Sequence, residues 1–402
     1  LPDVHTADDP IARRLRSELT RRLVETGAIA SSEWARVFNS VPRHPFVPRV
    51  FKPSAANDGR YSPVDGTDPA QREGWLRHVY SDEICITQLD GDDRAWGTAV
   101  KEGTVQATAM TCTSSQPTLM AGMLEALDLQ DGDRVLEIGT GTGYNAALLS
   151  ERLGSRSVSS VDIDPTLTER AEAVLAGLGY TPVVAAEDGA RGLPDNGPFT
   201  HLITTASFPS IPAAWLDQIS EGGAILANLF RPLGGGVLVR LTVSGDRAIG
   251  HFSARTAGFM PTRSHTSPSA LALYRRVGEE DEDAAEAETS RLDAAAILRA
   301  PETRFFLSLM SDFDEIRIRY PDHPEEQWLV TADGSWAFSV GADGGFTAKQ
   351  GGPRRLWDEF EALYSRWRAL GEPERHRFGL TVAGEEHRIW LDHPDQRVMG
   401  LL

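Results

Sequence analysis

"VLEIGTGTGYNAALL", residues 135–149, sets an apolar strand, a run of glycines and an apolar helix one after another. Ligands of open parallel sheets bind at such junctions, just beyond the carboxyl ends of the strands. Glycine allows the tight turn and brings a ligand close to the main chain. The surrounding pattern continues the theme. A helix at 117–128 precedes the strand "RVLEI". After the next helix come "SVSSVD", a helix from Pro165, "PVVAA", "THLITT", a helix from Pro212 and "GAILANL". Strands alternating with helices of this length predict an α/β fold, a mostly parallel sheet with helices on both faces. "GGVLVRLTV" and "RAIGHFSAR", joined by "SGD", predict an antiparallel hairpin at the end of that sheet.

The glycine run alone does not name its ligand. Gly141, Gly143 and Ala146 satisfy the dinucleotide pattern GxGxxG/A. Glu137, however, stands directly before the glycines, where a phosphate would be repelled and a cationic cofactor with an amino group would be welcome. Asp162, in "SSVDIDP", ends the next strand and is placed to accept from ribose hydroxyls. Asp188, in "AAEDGA", follows the third strand, within reach of an adenine. Three acids so spaced resemble an S-adenosylmethionine site, and Gly139, Thr140, Gly141, Gly143, Ile163 and Gly189 complete the candidate cofactor set. Asp162 and Asp188 also suit helix N-caps.

Upstream, "TCTSSQPTLMA", residues 111–121, gathers the hydroxyls of Thr111, Thr113, Ser114, Ser115 and Thr118. A cofactor loop needs none of them. "VPRHPFVP", "SSQP" before a helix, the glycine run, "EDGARG…PF" and "TTASFPSIPAAWLDQISEGGAIL" together resemble the protein-L-isoaspartate O-methyltransferase family from about residue 15 to about 262. The resemblance implies a Rossmann-like S-adenosylmethionine-dependent methyltransferase sheet. It also implies that Thr113, Ser114 and Ser115 meet the substrate carboxylate, with Ser115 matching the family's active-site serine. The competing reading is that "SSQP" caps the helix starting near Pro117. A carboxylate is already ionised at neutral pH, so the chemistry asks for alignment rather than a general base.

The chain departs from the compact repair enzymes in three ways. It continues for about 140 residues past the sheet, a domain-sized addition. It enlarges the 52–110 region, expected to be loop-rich with "EICITQL" as a strand candidate, with "VYSDEICITQLDGDDRAWG". It places Thr204, Thr205 and Ser207 where alanines are usual in the family, altering the expected substrate wall. These departures resemble the homologues that modify ribosomal peptides of the lanthipeptide and graspetide type. Those esterify an ordinary aspartate in a macrocyclic precursor peptide, which then passes through an aspartimide to isoaspartate. General isoaspartyl repair is the alternative, and a non-catalytic peptide-binding protein the alternative of another class. Arg94 is a candidate partner for a substrate carboxylate or half of a surface ion pair. Trp75 and Trp96 are candidates for an apolar peptide floor. His44 and His78 are expected to be structural.

The totals narrow the classes. A formal net charge of −18 argues against nucleic acid as partner, as does the absence of an Asp/Asn-Pro-Pro-aromatic motif where "TTASFPS" stands. Two cysteines, Cys85 and Cys112, exclude a disulfide framework and zinc spacing, and suit a reducing cytoplasm. No apolar run approaches the ~20 residues of a membrane span, and "LPDVHTADDP" lacks the features of a signal peptide. No metal-ligand cluster can be assembled, and the sequence does not specify an oligomeric state. The expected organisation is a helical and loop-rich region at 1–105, the methyltransferase domain at 106–262, an acidic linker at 263–290 containing "GEEDEDAAEAE", and an α+β accessory domain for peptide recognition at 291–402. In that last domain Leu356, Phe360, Leu363, Trp367 and Leu370 form one apolar stripe along a helix, and Trp336, Trp357, Trp367 and Trp390 are expected in the core.

Overall fold

The computed structural model describes residues 9–56, 58–263, 268–277, 285–320, 323–342 and 344–398. The acidic run 278–284 and part of "GFMPTRSHTSPS" lie outside them, as do the first eight residues. Two compact units divide the chain. One comprises Leu1–Ala206 and Pro212–Leu226, the other Ser207–Ile211 and Ala227–Leu402.

The first unit contains the predicted α/β sheet. Val135–Ile138, Val158–Asp162 and Val183–Ala186 run parallel in that order, and Phe199–Phe208 pairs with the opposite side of Val135–Ile138. Chain order therefore reverses at Val135–Ile138, which makes the end of this strand the topological switch point where ligands bind. All four residues of the strand are buried, as expected with helices on both faces. Tyr144–Leu153 follows the glycines, and Pro165–Gly177 begins at Asp164, whose carboxylate accepts from Thr166 N and Leu167 N.

The 52–110 region is not loop-rich. It forms an antiparallel sheet in the order Val105–Gln106, Arg60–Asp65, Arg49–Pro53, Cys85–Leu89, Met110–Ser114, with helices Arg72–Val79 and Arg94–Glu102. Phe51, Ile86, Leu89, Ala95 and Ala99 form its core. The strand that carries the hydroxyls, Met110–Ser114, is an edge of this sheet.

The second unit begins earlier than the expected boundary at 263. Gly235–Ser244 and Arg247–Thr256 form the predicted hairpin, with Ser244 opposite Arg247. Arg247–Thr256 then pairs with Phe378–Ala383, and that strand with Glu386–Leu391. These long-range ladders add two C-terminal strands beyond the hairpin, so it is not the end of its sheet. A second antiparallel sheet runs Glu288–Ser290, Gly345–Gly351, Trp336–Ala342, Glu326–Val330, Asp314–Ile318. Helix Leu356–Ala369 supplies Leu356, Trp357 and Phe360 to the core beside Leu329 and Ala337, so the aromatic stripe is packing. Trp336, Trp357, Trp367 and Trp390 are all buried.

Candidate functional site

The glycine loop is shaped by backbone needs that only glycine meets. Gly139, Gly141 and Gly143 have φ of 105°, 51° and 86°. A Cβ on Gly139 would stand 2.6 Å from Thr205 Oγ1, and one on Gly143 2.9 Å from Ala171 Cβ. Four of the loop amides are already engaged: Gly139 N and Thr140 N donate to Val161 O, Gly143 N to Thr140 O, and Gly141 N to Asp162 Oδ2 at 2.8 Å. A pyrophosphate would need those amides and would meet the Asp162 carboxylate instead. The dinucleotide alternative fails on both counts.

The acids differ in place. Glu137 is fully buried beneath the loop. Its carboxylate accepts from Asn145 Nδ2 at 2.8 Å and Ser160 Oγ at 2.6 Å, and Ser160 in turn bonds Thr140 Oγ1 at 2.6 Å. Burial, opposed in part by those hydrogen bonds, pushes its pKa up to about 7. Glu137 thus anchors the loop and the following helix from below, and does not face an amino group in the open. Asp162 is half-buried at its strand's end, accepting from Gly141 N and Asp164 N. The next residue, Ile163, exposes 51% of its surface. Asp188 accepts from Ala190 N, so it is a cap as well as a candidate ligand. Glu187 N donates to Asp162 O, tying the two segments together, and Trp215 Nε1 holds Gly189 O. An acid at a strand's end beside an exposed apolar ledge and engaged loop amides fits S-adenosylmethionine, which brings ribose hydroxyls and an adenine but no phosphate.

The hydroxyl strand lies beside this loop. A Cβ on Gly141 would meet Cys112 Sγ at 3.6 Å and Thr113 O at 3.9 Å. Gln88, on the neighbouring strand, fixes the approach by donating to Asp164 Oδ2 and accepting from Thr111 Oγ1. Thr118 and Gln116 are engaged by Asp82, whose carboxylate accepts from Thr118 N, Thr118 Oγ1 and Gln116 Nε2. Asp82, not "SSQP", therefore caps helix Pro117–Leu127, and Gln116 at the cap position makes no side-chain bond to it. Ser114 is 3% exposed and its hydroxyl accepts from Arg43 Nε. Thr113 and Ser115 are half-buried, and among the described residues their hydroxyls have no protein partner. Of the five hydroxyls, these two are available.

Several expected substrate residues are placed otherwise. Thr205 donates to Gly139 O and braces the glycine loop. Thr204 is fully buried in its strand. Ser207 belongs to the other unit, where its hydroxyl sits between Asn228 Oδ1 and Phe259 O. Arg94 is exposed and pairs with Asp92, two residues away. Trp75 is fully buried, donating to Val47 O, and Trp96 packs between Phe51 and Arg49. His44 is buried against Tyr80 Oη, and His78 lies 3.3 Å from Glu83, its pKa lowered chiefly by burial. Among the described residues no group of His, Cys, Asp and Glu could hold a metal.

Sequence reasoning passed over Asp82, Gln88 and Arg43. The first two act over 36 and 76 residues of chain, and only folding brings them to their partners. Arg43 stands in "VPRHPF", but nothing in its sequence neighbourhood marks it as buried.

Comparison with known proteins places the site in context. Residues 93–246 match the family described as Protein-L-isoaspartate(D-aspartate) O-methyltransferase. The chain is 40% identical over 151 residues to Protein-L-isoaspartate O-methyltransferase 1 of Syntrophobacter fumaroxidans, covering 37% of this chain and 64% of that one. It is 41% identical over 138 residues to a Roseiflexus protein-L-isoaspartate O-methyltransferase, covering 33% and 61%. These two matches thus span less than two thirds of each relative's length. A longer match, to the Ignicoccus hospitalis protein of that name, is 31% identical over 228 residues and covers 56% of this chain and 87% of the relative. A solved protein-L-isoaspartate O-methyltransferase shares the fold with a TM-score of 0.54 at 21% identity, covering 94% of this chain and all of that one.

Proposed function

The chain belongs to the protein-L-isoaspartate O-methyltransferase family, and on that premise we propose that it is an S-adenosylmethionine-dependent carboxyl O-methyltransferase acting on an aspartyl side chain of a constrained, macrocyclic ribosomal peptide. The observation that carries the carboxylate reading is the pair of available hydroxyls, Thr113 and Ser115, on a strand beside the glycine loop at Gly141. When bound, the cofactor supplies a methyl group on a sulfonium. The protein has no proton to remove, because the attacking oxygen is already anionic. Thr113 and Ser115 orient the carboxylate by donating to it. Gly139–Gly143, Asp162 and Ile163 hold the cofactor, with Glu137 fixing the loop from beneath. Rate enhancement on this scheme comes from alignment and exclusion of water. The next backbone nitrogen then attacks the methyl ester, the acyl C–O bond breaks and methanol leaves with the amide proton; water opens the resulting aspartimide to aspartate and isoaspartate.

The constrained substrate is supported by what the chain carries besides the parallel sheet. The hydroxyl strand is the edge of an added five-stranded sheet, and a second unit follows the catalytic one. A preorganised ring loses little entropy on binding such surfaces. General isoaspartyl repair is the second reading, favoured by the names of the relatives. Release of S-adenosylhomocysteine is the test, using a linear isoaspartyl peptide and its aspartyl twin, with Ser115→Ala as control and cofactor binding followed separately. Turnover of the isoaspartyl peptide alone establishes repair and ends the constrained-peptide reading. Silence toward both, with cofactor bound, directs the search to the precursor peptide, whose turnover must then vanish in Ser115→Ala.

A further inference from the structure

We infer that Arg43 is a positioning residue whose buried, uncompensated charge makes the Ser115 site selective for an ionised carboxylate; the inference rests on the carboxyl-methyltransferase reading above. Arg43 is 0% exposed. Its acceptors are the Ser114 hydroxyl and the carbonyls of Val79, Ser81, Glu83, Ser114 and Ser115, at 2.7–3.4 Å. None is a carboxylate. A guanidinium removed from water without a counter-ion is expensive even when every N–H is bonded. Here a second one lies in the same region: Arg16 is 9% exposed, interacts with Tyr80, and has Nε and Nη1 buried without a partner. Among the described residues no carboxylate bonds to either. Asp82 is bound up in the helix cap, and the Glu83 side chain is mostly exposed and turned to His78.

The direction of the field follows from peptide geometry. Arg43 Nη2 donates to the carbonyls of Ser114 and Ser115 at 3.1 and 2.9 Å. In a planar trans peptide the N–H lies opposite the C=O, so the N–H groups of Ser115 and Gln116 point away from Arg43. A cation held at the carbonyl oxygens polarises those amides and strengthens them as donors. The segment bearing the available Ser115 hydroxyl thus offers positive potential on its far side, and an anionic oxygen is favoured there over a neutral one. The Arg43 fork also fixes the conformation of Ser114–Ser115, so one side chain sets both charge preference and hydroxyl position.

The test uses the full chain saturated with S-adenosylhomocysteine, titrated calorimetrically with a linear isoaspartyl peptide and its side-chain amide twin. The wild type is expected to favour the carboxylate by about tenfold or more, the scale of one charge-assisted hydrogen bond. Arg43→Met should erase that ratio while weakening the amide by less than about threefold, with unchanged S-adenosylhomocysteine affinity. Arg43→Lys, which keeps the charge and loses the fork, should retain the ratio and lower kcat. The inference falls if the wild type binds both twins alike, if Arg43→Met weakens both equally, or if Arg43→Lys loses the ratio. Should Arg43→Met not fold, the lysine variant still decides. Turnover by the wild type judges the methyltransferase reading separately: a preserved ratio without turnover of the linear peptide leaves the role of Arg43 standing and directs the search for the substrate to the precursor peptide.

Discussion

Glu137 is held in a place that disfavours its own charge. Its pKa lies near 7 in the folded protein against an ordinary 4.5, so folding takes up a proton between those values. Stability contributed by the neutral form is complete below about pH 4.5 and is lost as pH rises through about 7, an effect of roughly 3 kcal/mol before local relaxation reduces it. A glutamine side chain in its place could keep the bonds to Asn145 and Ser160 without that penalty. Glu137→Gln is therefore expected to unfold at a higher temperature than the wild type at pH 8 and at about the same temperature at pH 5, both without cofactor. Equal pH dependence in the two proteins would refute the assignment. Gly139→Ala tests the loop differently: with φ at 105° and Thr205 Oγ1 in the way, it should lose S-adenosylhomocysteine binding by isothermal titration, and Thr205→Ala should not restore it because the backbone strain remains. Sequence position alone put Asp162 at the end of a strand and Ser115 just before a helix, and the structure has both there. Ser207 and Arg94 show the opposite case. Nothing local reveals that a serine will be buried against Asn228, or that an arginine will turn to Asp92 and water.

Elements were legible where periodicity is strong. The four parallel strands and their helices fall within a few residues of expectation because buried β strands are continuously apolar and each helix has a clear start, such as Pro117 or Asp164-Pro165. Of the sheet of residues 49–114, the strand within "EICITQL" was legible as Cys85–Leu89, but its pairing was not: it joins Met110–Ser114 through two register shifts. Arg60–Asp65 is half-buried nearly throughout and contains Pro63, and it lacks the alternation that marks a strand. The competing reading of "SSQP" as the cap of helix Pro117–Leu127 fails for a related reason: a serine at the right spacing is present, but Asp82 takes the Thr118 amide and hydroxyl. Asp82→Ala should cost about 1–2 kcal/mol in urea unfolding, the range for losing an acidic cap that holds one backbone amide and two side chains. Ser115→Ala should leave unfolding within about 0.5 kcal/mol of wild type. A reversed order would mean that Ser115 is the cap after all, and its availability to substrate would be lost with it.

At the scale of the molecule, the charge and composition arguments concern partners, and the structure adds that no helix among the described residues is long and apolar enough to cross a membrane. The domain boundary is a matter of pairing, which sequence patterns do not encode. "RAIGHFSAR" has the same pattern whether it ends a parallel sheet or joins strands that come about 130 residues later, and the structure gives the second: Arg247 lies opposite Ala383 and His251 opposite Gly379. That has a consequence for any attempt to isolate the catalytic portion. A chain cut after residue 262 keeps the hairpin Gly235–Thr256 but removes its partner Phe378–Ala383, exposing the backbone edge of Arg247–Thr256 to pairing with other copies. Such a truncation is expected to be insoluble or to elute as aggregates in size-exclusion chromatography, whereas the full chain is not. Substituting Gly250 in the full chain should do harm at the same place. A Cβ there would lie 1.9 Å from Arg240 O, so Gly250→Val must force the hairpin apart. Its melting temperature should fall by several degrees, about what 1–3 kcal/mol of overpacking produces in a unit of this size. A monomeric, stable 1–262 fragment would show that the hairpin needs no partner from the C-terminal strands, and that the catalytic portion ends where the sequence pattern placed it.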